Sequence, residues 1–196
     1  MSTKVRFVLM TGIKSLAVIS ALSLMLYAAV PQGWYLAGSK PAEYESGVDK
    51  QVQYNDHPSA YLRSKATVSD GFGTLMQNFS ADQYAGKRLR LTAFVRSEGV
   101  ENWAGLWMRV DKGKDSVAFD NMQDRPIKDS NAWREYSVVL DVPQNATGIF
   151  FGVLLSGSGE VWMNSVKLEL VGPEVATTGS GATQHRDHPI NLDFEN

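Results

Sequence analysis

The chain has 196 residues, 43% of them hydrophobic, a size that suits one domain plus a terminal appendage. It contains no cysteine, which excludes disulfides, thiolate metal sites and cysteine nucleophiles. Beyond residue 30 it carries 16 positive and 21 negative charges, and this acidic balance argues against a nucleic-acid partner, because nucleic-acid binders carry a basic footprint.

Residues 1–30 combine the features of an export signal with those of a membrane anchor. Lys4, Arg6 and Lys14 precede an uncharged run over 16–30. This run of about 15 residues is short for a spanning helix and typical of the apolar core of a signal peptide. If Lys14 reaches back to the bilayer surface, residues 5–30 can span the inner membrane. A cleaved signal and an uncleaved anchor both predict an exported or outward-facing domain, and a buried helix is the alternative.

From residue 31 to 171 the pattern is typical of an all-β domain. Short segments of alternating apolar and polar residues are separated by turn residues, at the spacing of an antiparallel β-sandwich. The predicted strands cover 43–54, 59–66, 73–79, 87–97, 104–111, 115–120, 134–142, 147–156 and 160–171. Sustained helical periodicity is lacking here, which argues against a parallel α/β fold and against a helix-turn-helix.

The alternation assigns one face of each strand to the core. In the strand 87–97 the inward set is Leu89, Leu91, Ala93 and Val95. Three arginines of the opposite set, Arg88, Arg90 and Arg96, either extend a polar groove or form a solvated outer face.

The segment 103–111 shows the clearest two-faced pattern. Its inward set is Ala104, Leu106, Met108 and Val110. The other face carries Trp103, Trp107, Arg109 and Asp111, with the two indoles about 13 Å apart along a strand. Two indoles can stack on sugar rings while a guanidinium and a carboxylate bind hydroxyls. The alternative is that one or both tryptophans pack under a loop.

A polar loop follows the strand 115–120. Asp120, Asn121 and Arg125 in this loop are candidates for the mouth of a ligand site. The alternative is that Asp120 and Asn121 form an ordinary turn and that an aspartate and Arg125 brace each other.

The end of the chain has two parts. Residues 172–189 are rich in glycine, threonine and proline and predict a flexible connection. Residues 190–196 are strand-like, with Ile190, Leu192 and Phe194 on one side. An apolar strand after so long a connection predicts that it docks on the sandwich.

Three stretches resemble the galactose-binding-like jelly roll found in many carbohydrate-binding modules. They are residues 73–97, with a tight turn before an outer strand, the W-x-x-Y pattern over 133–143, and the final strand over 159–169. The resemblance covers about residues 42–171 and implies a jelly-roll β-sandwich. Together with the segment 103–111, the run 118–127 also resembles small stand-alone bacterial proteins that are often labelled transcriptional regulators.

Two departures from those modules bear on the fold and on metal binding. The N-L-x-F-E pattern that often begins such modules stands at 191–195, which implies a permuted first strand, or else a truncated second module. Asn164 stands where these modules commonly carry an acidic residue that helps hold a structural calcium, and this departure from their pattern argues against a calcium site, so no cofactor is predicted.

The function that these patterns favour is noncatalytic binding of a carbohydrate or cell-envelope glycan through the face of Trp103 and Trp107. The first alternative is a regulatory or protein-interaction domain that uses the same face. The second is a glycoside hydrolase, for which two carboxylates at a defined separation are needed. Carboxylates available for it are Asp111, Asp115, Asp120 and Glu135.

Overall fold

A computed structural model of the protein describes residues 30–66 and 70–179. This part contains nine strands and one 3-10 helix, Pro41–Glu43. The strands are β1 (Tyr35–Gly38), β2 (Tyr44–Tyr54), β3 (His57–Ser64), β4 (Phe72–Ser80), β5 (Arg88–Lys112), β6 (Asp115–Asp120), β7 (Ile127–Asp141), β8 (Gly148–Ser156) and β9 (Glu160–Val171). The all-β fold class is confirmed. The export or anchor segment and the strand-like 190–196 lie outside the described residues.

Within the described ranges, no helix combines the length and the apolar character that crossing a membrane requires.

The long strand β5 is shared by two antiparallel sheets. Its first half pairs with β7 and β9, and β9 continues through β3 to β2. We call β7-β5-β9-β3-β2 the back sheet. The second half of β5 pairs with β8 and β6. On its other side β8 pairs with β4, which pairs with β1. We call β1-β4-β8-β5-β6 the front sheet. The two sheets form the jelly-roll sandwich.

The main hydrophobic core contains the inward faces of both halves of β5. The predicted inward residues of the first half are buried, each 0–1% exposed: Leu89, Leu91, Ala93 and Val95. Those of the second half, Ala104, Leu106, Met108 and Val110, are all 0% exposed. Both predictions of facing are confirmed, as expected when burial of apolar surface is the main driving force of folding.

Several predicted boundaries are wrong. The segments 87–97 and 104–111 are one strand, because Ser97, Val100 and Ala104 pair with the first part of β7. β5 changes direction there, at Gly99 with φ +57°, and its register with β7 shifts. β7 accordingly begins at Ile127 rather than at 134, and the four-residue β1 stands in a turn-rich stretch where no strand was predicted.

Residues 172–179 run along the outer edge of the back sheet. Thr178 N–H donates to Val139 O at 2.9 Å, and the guanidinium of Arg88 donates to Val175 O at 2.6 Å. The first eight residues of the predicted connection 172–189 are thus bonded to β5 and β7, and the rest lie outside the described residues.

Candidate functional site

A second apolar cluster lies on the outer face of the front sheet, apart from the main core. Its buried members, 6–8% exposed, are Met76, Trp107 and Leu154. Half-buried residues packed against them include Trp103 of β5 and Phe150 of β8. We call the surface formed by Trp103, Trp107, Phe150, Arg109 and Asp111 the aromatic face. It brings together the four residues that the strand 103–111 predicted for a ligand face.

Trp107 forms the floor of the aromatic face. Its indole N–H donates to Thr74 Oγ1 at 2.7 Å, and the same hydroxyl donates to Val153 O at 2.8 Å. With 6% of its surface exposed, Trp107 presents little ring area, whereas Trp103 beside it is half-buried. The stacking surface open to solvent is therefore carried by Trp103 and Phe150 more than by Trp107.

At Gly105, between Trp103 and Trp107 in the strand, the loop after β6 covers β5. A Cβ added at Gly105 would lie 2.7 Å from the carbonyl oxygen of Asn121 and 3.0 Å from Met122 Cβ. The loop after β6 thus lies against β5 at this point, where a larger residue at 105 would displace it. This contact places Asn121 at the side of the aromatic face.

Arg109 and Asp111 form a charged pair at the end of the aromatic face. Two nitrogens of the guanidinium donate to the two carboxylate oxygens, each at 2.8 Å. The guanidinium carbon lies 4.5 Å from the ring centroid of Phe150, a cation–π geometry. Only two of the five guanidinium donors are used in this pair, and 38% of the Arg109 side chain is exposed. The arrangement offers directed donors next to an aromatic ring.

Asp120 and Arg125 lie apart from the aromatic face and bind each other. The Asp120 side chain is 4% exposed. It accepts hydrogen bonds from Arg125 at 2.5 and 3.2 Å, from Met122 N–H at 2.8 Å and from Thr178 Oγ1 at 2.5 Å. Burial raises the pKa of Asp120, but these hydrogen bonds outweigh burial and lower the pKa below its ordinary value. The geometry is that of the mutual brace, and it anchors the segment 172–179.

The carboxylates considered for hydrolysis have different partners and positions in the fold. Asp111 is paired with Arg109 and Asp120 with Arg125. Glu135 stands opposite Phe94 in the back sheet, and Asp115 begins β6 at the hairpin with β5.

Asn164 ties β9 to β3. Its amide donates at 3.1 Å to His57 O, to Pro58 O and to Ser59 Oγ. No group of three or more histidine, aspartate or glutamate side chains in the described ranges is arranged to hold a metal ion.

Sequence reasoning missed Phe150 as part of the aromatic face. Residues 149–155 are apolar on both faces, which predicts a central strand but does not tell which residues serve the core. Ile149, Phe151, Val153 and Leu155 belong to the main core, so Phe150 and Leu154 are the residues left for the outer face. The signal in the sequence was that the outer face of this strand is apolar, although the core between the sheets uses only its inner face.

The fold is the jelly roll of carbohydrate-binding modules. Among solved structures, the CBM22-1 xylan-binding domain from Paenibacillus barcinonensis Xyn10C is similar, with a TM-score of 0.53, 12% identity and coverage of 74% of this chain and 90% of that domain. A further xylan-binding domain from CBM 22 gives a TM-score of 0.52 with 10% identity, covering 72% and 89%. The enzymatically active domain of bacteriophage CBA120 tailspike protein 4 gives 0.55 with 16% identity, covering 71% and 20%.

A curated relative carries a regulator's name. The chain is 46% identical over 167 residues to an uncharacterized HTH-type transcriptional regulator, YbfP, of Bacillus subtilis (strain 168). The match covers 84% of this chain and 57% of the relative, so the chain spans just over half of that protein's length. No family model matches the chain. The resemblance to carbohydrate-binding jelly rolls and to proteins labelled as transcriptional regulators is confirmed.

Proposed function

We propose that this chain is a noncatalytic carbohydrate-binding domain whose ligand site is the aromatic face. The observation that carries the proposal is the second apolar cluster on the outside of the front sheet. The sandwich has its own core between the sheets, and this second cluster lies outside it with Trp103 and Phe150 only half-buried. The half-buried rings of Trp103 and Phe150 leave apolar surface on the outside of the sandwich, and contiguous apolar surface of this kind favours a binding site.

The chemistry of the face suits a sugar. The half-buried rings of Trp103 and Phe150 offer apolar surface to the C–H face of a pyranose. Arg109 and Asp111 offer charged donors and acceptors, which bind hydroxyls more strongly than neutral groups do. Asn121, whose backbone carbonyl lies against Gly105, is a further polar residue beside the face. Trp107, held by Thr74, supports the ring surface from below.

The structural likeness to xylan-binding domains supports the same ligand class. We propose further that the domain works outside the cytoplasm, on the strength of the basic residues and apolar run of 1–30. A glycan of the cell envelope would then be the ligand within reach.

The test is a binding screen of the full chain against xylo-oligosaccharides and bacterial cell-wall glycans, followed by titration calorimetry. Trp103→Ala and Phe150→Ala should each weaken binding about tenfold, since a lost aromatic contact costs on the order of 1 kcal/mol. Trp133→Ala is the matched control, because Trp133 is a half-buried tryptophan of β7 that packs on Tyr54 at 5.3 Å, away from the aromatic face. Equal losses in all three variants, or no binding by the native chain, would overturn the proposal.

The second candidate is a regulatory domain, which the regulator's name of the Bacillus subtilis relative favours. In this case the β-sandwich binds a regulatory ligand or a partner protein. Any helical DNA-binding segment lies outside the described residues, since these contain no α-helix. Measuring retardation of genomic DNA fragments by the full chain, with and without a glycan that binds, separates the two. Retardation that the glycan changes supports regulation, and its absence leaves the binding domain as the better account.

A further inference from the structure

β9 has an open edge over its second half. On the side of β3 it is paired only over 160–163. Where the strands separate, the Asn164 amide bridges the gap to His57 O and Pro58 O. From Ser165 to Val171 no strand among the described residues pairs with β9 on this side, although β5 pairs with it on the other. Backbone N–H and C=O groups on a partly buried edge need partners.

The core is incomplete beside this edge. Leu168 and Leu170 stand opposite Leu91 and Leu89 of β5 and share their inward face. Leu89 and Leu91 are 0–1% exposed, whereas Leu170 is 52% exposed and Leu168 is only half-buried. The inward face of β5 is thus covered more completely than the inward face of β9. The difference begins where the pairing of β3 with β9 ends.

A cleft of about 480 Å³ opens between the sheets at this place. Val166 and Leu168 line it from β9, Phe151 lines it from β8, and Trp34 lines it from just before β1. Its remaining walls are Pro31, Val48, Pro58, Ala60, Gln77, Met163, Asn164 and Ser165. None of these lining residues is charged, so the cleft suits apolar side chains and disfavours an ion, whose desolvation nothing here would offset.

The chain contains a segment of the matching pattern. In 190–195, Ile190, Leu192 and Phe194 alternate with Asn191, Asp193 and Glu195. A strand of six residues is about 20 Å long, close to the length of the open edge over 165–171. If its apolar set turned into the cleft, the segment would place its acidic set on the outer face, where Lys167 of β9 is exposed.

The segment can reach the edge within one chain. The last described residue of this part, Gly179, lies against Asp120 and Leu140, and Leu140 is in register with Leu89 and Leu170. The open position beside β9 is therefore about four strand spacings away, or about 19 Å. Residues 180–189 span up to about 33 Å when extended, and an intramolecular segment is favoured over one from a second molecule by its effective concentration.

We propose that residues 190–195 dock in cis as a tenth strand on the open edge of β9, with Ile190, Leu192 and Phe194 filling the cleft. The added strand supplies partners to the backbone of β9 and covers Leu168 and Leu170. The inference is independent of the proposed carbohydrate site, because the aromatic face lies on the outer face of the other sheet.

The absence of cysteine from the chain allows a direct test by single-cysteine labelling of the full-length protein. Leu192→Cys places a thiol in the cleft, and Asp193→Cys, the matched control, places one on the outer face of the same strand. We expect the thiol at 192 to react with iodoacetamide at least about 100-fold more slowly than the thiol at 193, since docked strands open rarely. In guanidinium chloride the two rates should be equal.

Hydrogen exchange of the unsubstituted chain checks the proposal without any mutation. Amides of 166–170 and of 190–195 should both be protected. Labelling at 192 and 193 at the same fast rate, or unprotected amides over 190–195, would overturn the inference. Protection of residue 192 that disappears on dilution, together with a dimer in size-exclusion chromatography, would also overturn it, because the strand would then come from a second copy. The inference would also be overturned if the thiol at 192 reacted fast and indole raised the Tm of the protein. The cleft would then be a site for a small ligand.

Discussion

At the scale of single residues, the hydroxyl of Thr74 determines how the indole of Trp107 lies. It accepts the indole N–H and donates to Val153 O, and Thr74 and Trp107 are both buried. A buried donor that loses its acceptor costs about 1–3 kcal/mol. The floor of the aromatic face therefore depends on a β4 residue whose position in the sequence is 33 residues away.

Thr74→Val removes both hydrogen bonds with little change of shape. We expect the free energy of unfolding, measured by urea titration, to fall by about 1–3 kcal/mol. Thr177→Val is the control, because Thr177 is exposed and an exposed substitution usually changes stability by less than about 0.5 kcal/mol. A Thr74→Val loss as small as that of the control would contradict this role.

Asp120 links the stability of the fold to pH. Burial raises its pKa, but the hydrogen bonds from Arg125, Thr178 and Met122 N–H lower it below the ordinary value of 3.8. A carboxyl whose pKa is depressed on folding stabilises the protein above its unfolded pKa. That contribution is lost as the pH falls through the folded pKa.

The Asp120→Asn variant should have a lower Tm than the native chain at pH 7, and the difference should shrink as the pH falls below 3.8 and native Asp120 takes up a proton. Tm measured from pH 7 to pH 2.5 checks this. Asp124→Asn serves as control, since Asp124 also binds Arg125 but is 73% exposed and should change Tm little. A Tm difference for Asp120→Asn that stays constant over the whole pH range would show that the carboxylate charge is not what stabilises the brace.

At the scale of elements, two glycines act on their strands in different ways. Gly99, at the bend of β5, has a left-handed φ of +57° and open space where a Cβ would stand. Gly152 of β8 lies opposite Trp107, and a Cβ there would stand 2.2 Å from Leu75 O of β4. The first position needs glycine for its conformation and the second for the close approach of two strands.

Gly99→Ala should lower the free energy of unfolding by about 1 kcal/mol, the cost of a left-handed alanine. Gly152→Ala should cost about 3 kcal/mol or more, because the clash is with backbone and the β4–β8 pairing must shift. Urea titrations of both variants compare the two losses. If the Gly99→Ala loss equals or exceeds the Gly152→Ala loss, the close approach of β4 and β8 is not what requires glycine at 152.

At the scale of the whole molecule, the alternation of apolar and polar residues predicted the sandwich, because it indicates which side of each strand packs against the core. The inward sets of both halves of β5 were correct for this reason. The joining of those halves was not predicted, because Ser97, Glu98, Gly99 and Asn102 have the composition of a loop. Ser97 and Val100 pair with the first part of β7, and no local pattern indicates a partner that lies about 30 residues further along the chain.

The alternation of apolar and polar residues does not indicate what packs against the outer face of a strand. Trp103 and Trp107 occupy equivalent positions in the pattern, yet Trp107 is buried by Met76 and Leu154, which β4 and β8 supply. The brace between Asp120 and Arg125 could be foreseen from their closeness in sequence. The third partner, Thr178, is 58 residues from Asp120 and is found only from the structure.

The sharing of β5 between both sheets has a consequence for how the chain is made. Its partners β6, β7, β8 and β9 are all synthesised after it. β6 and β7 emerge next and can pair with β5, but its 25 residues lack β8 and β9 until those strands follow. The front sheet cannot close before Ser156 has emerged, nor the back sheet before Val171. Contacts so distant in sequence form slowly, and an unpaired edge of that length is prone to pair with other chains. The sandwich can therefore form only after nearly all of its strands have been synthesised. Until then, β5 is the strand that most needs protection from pairing with other chains.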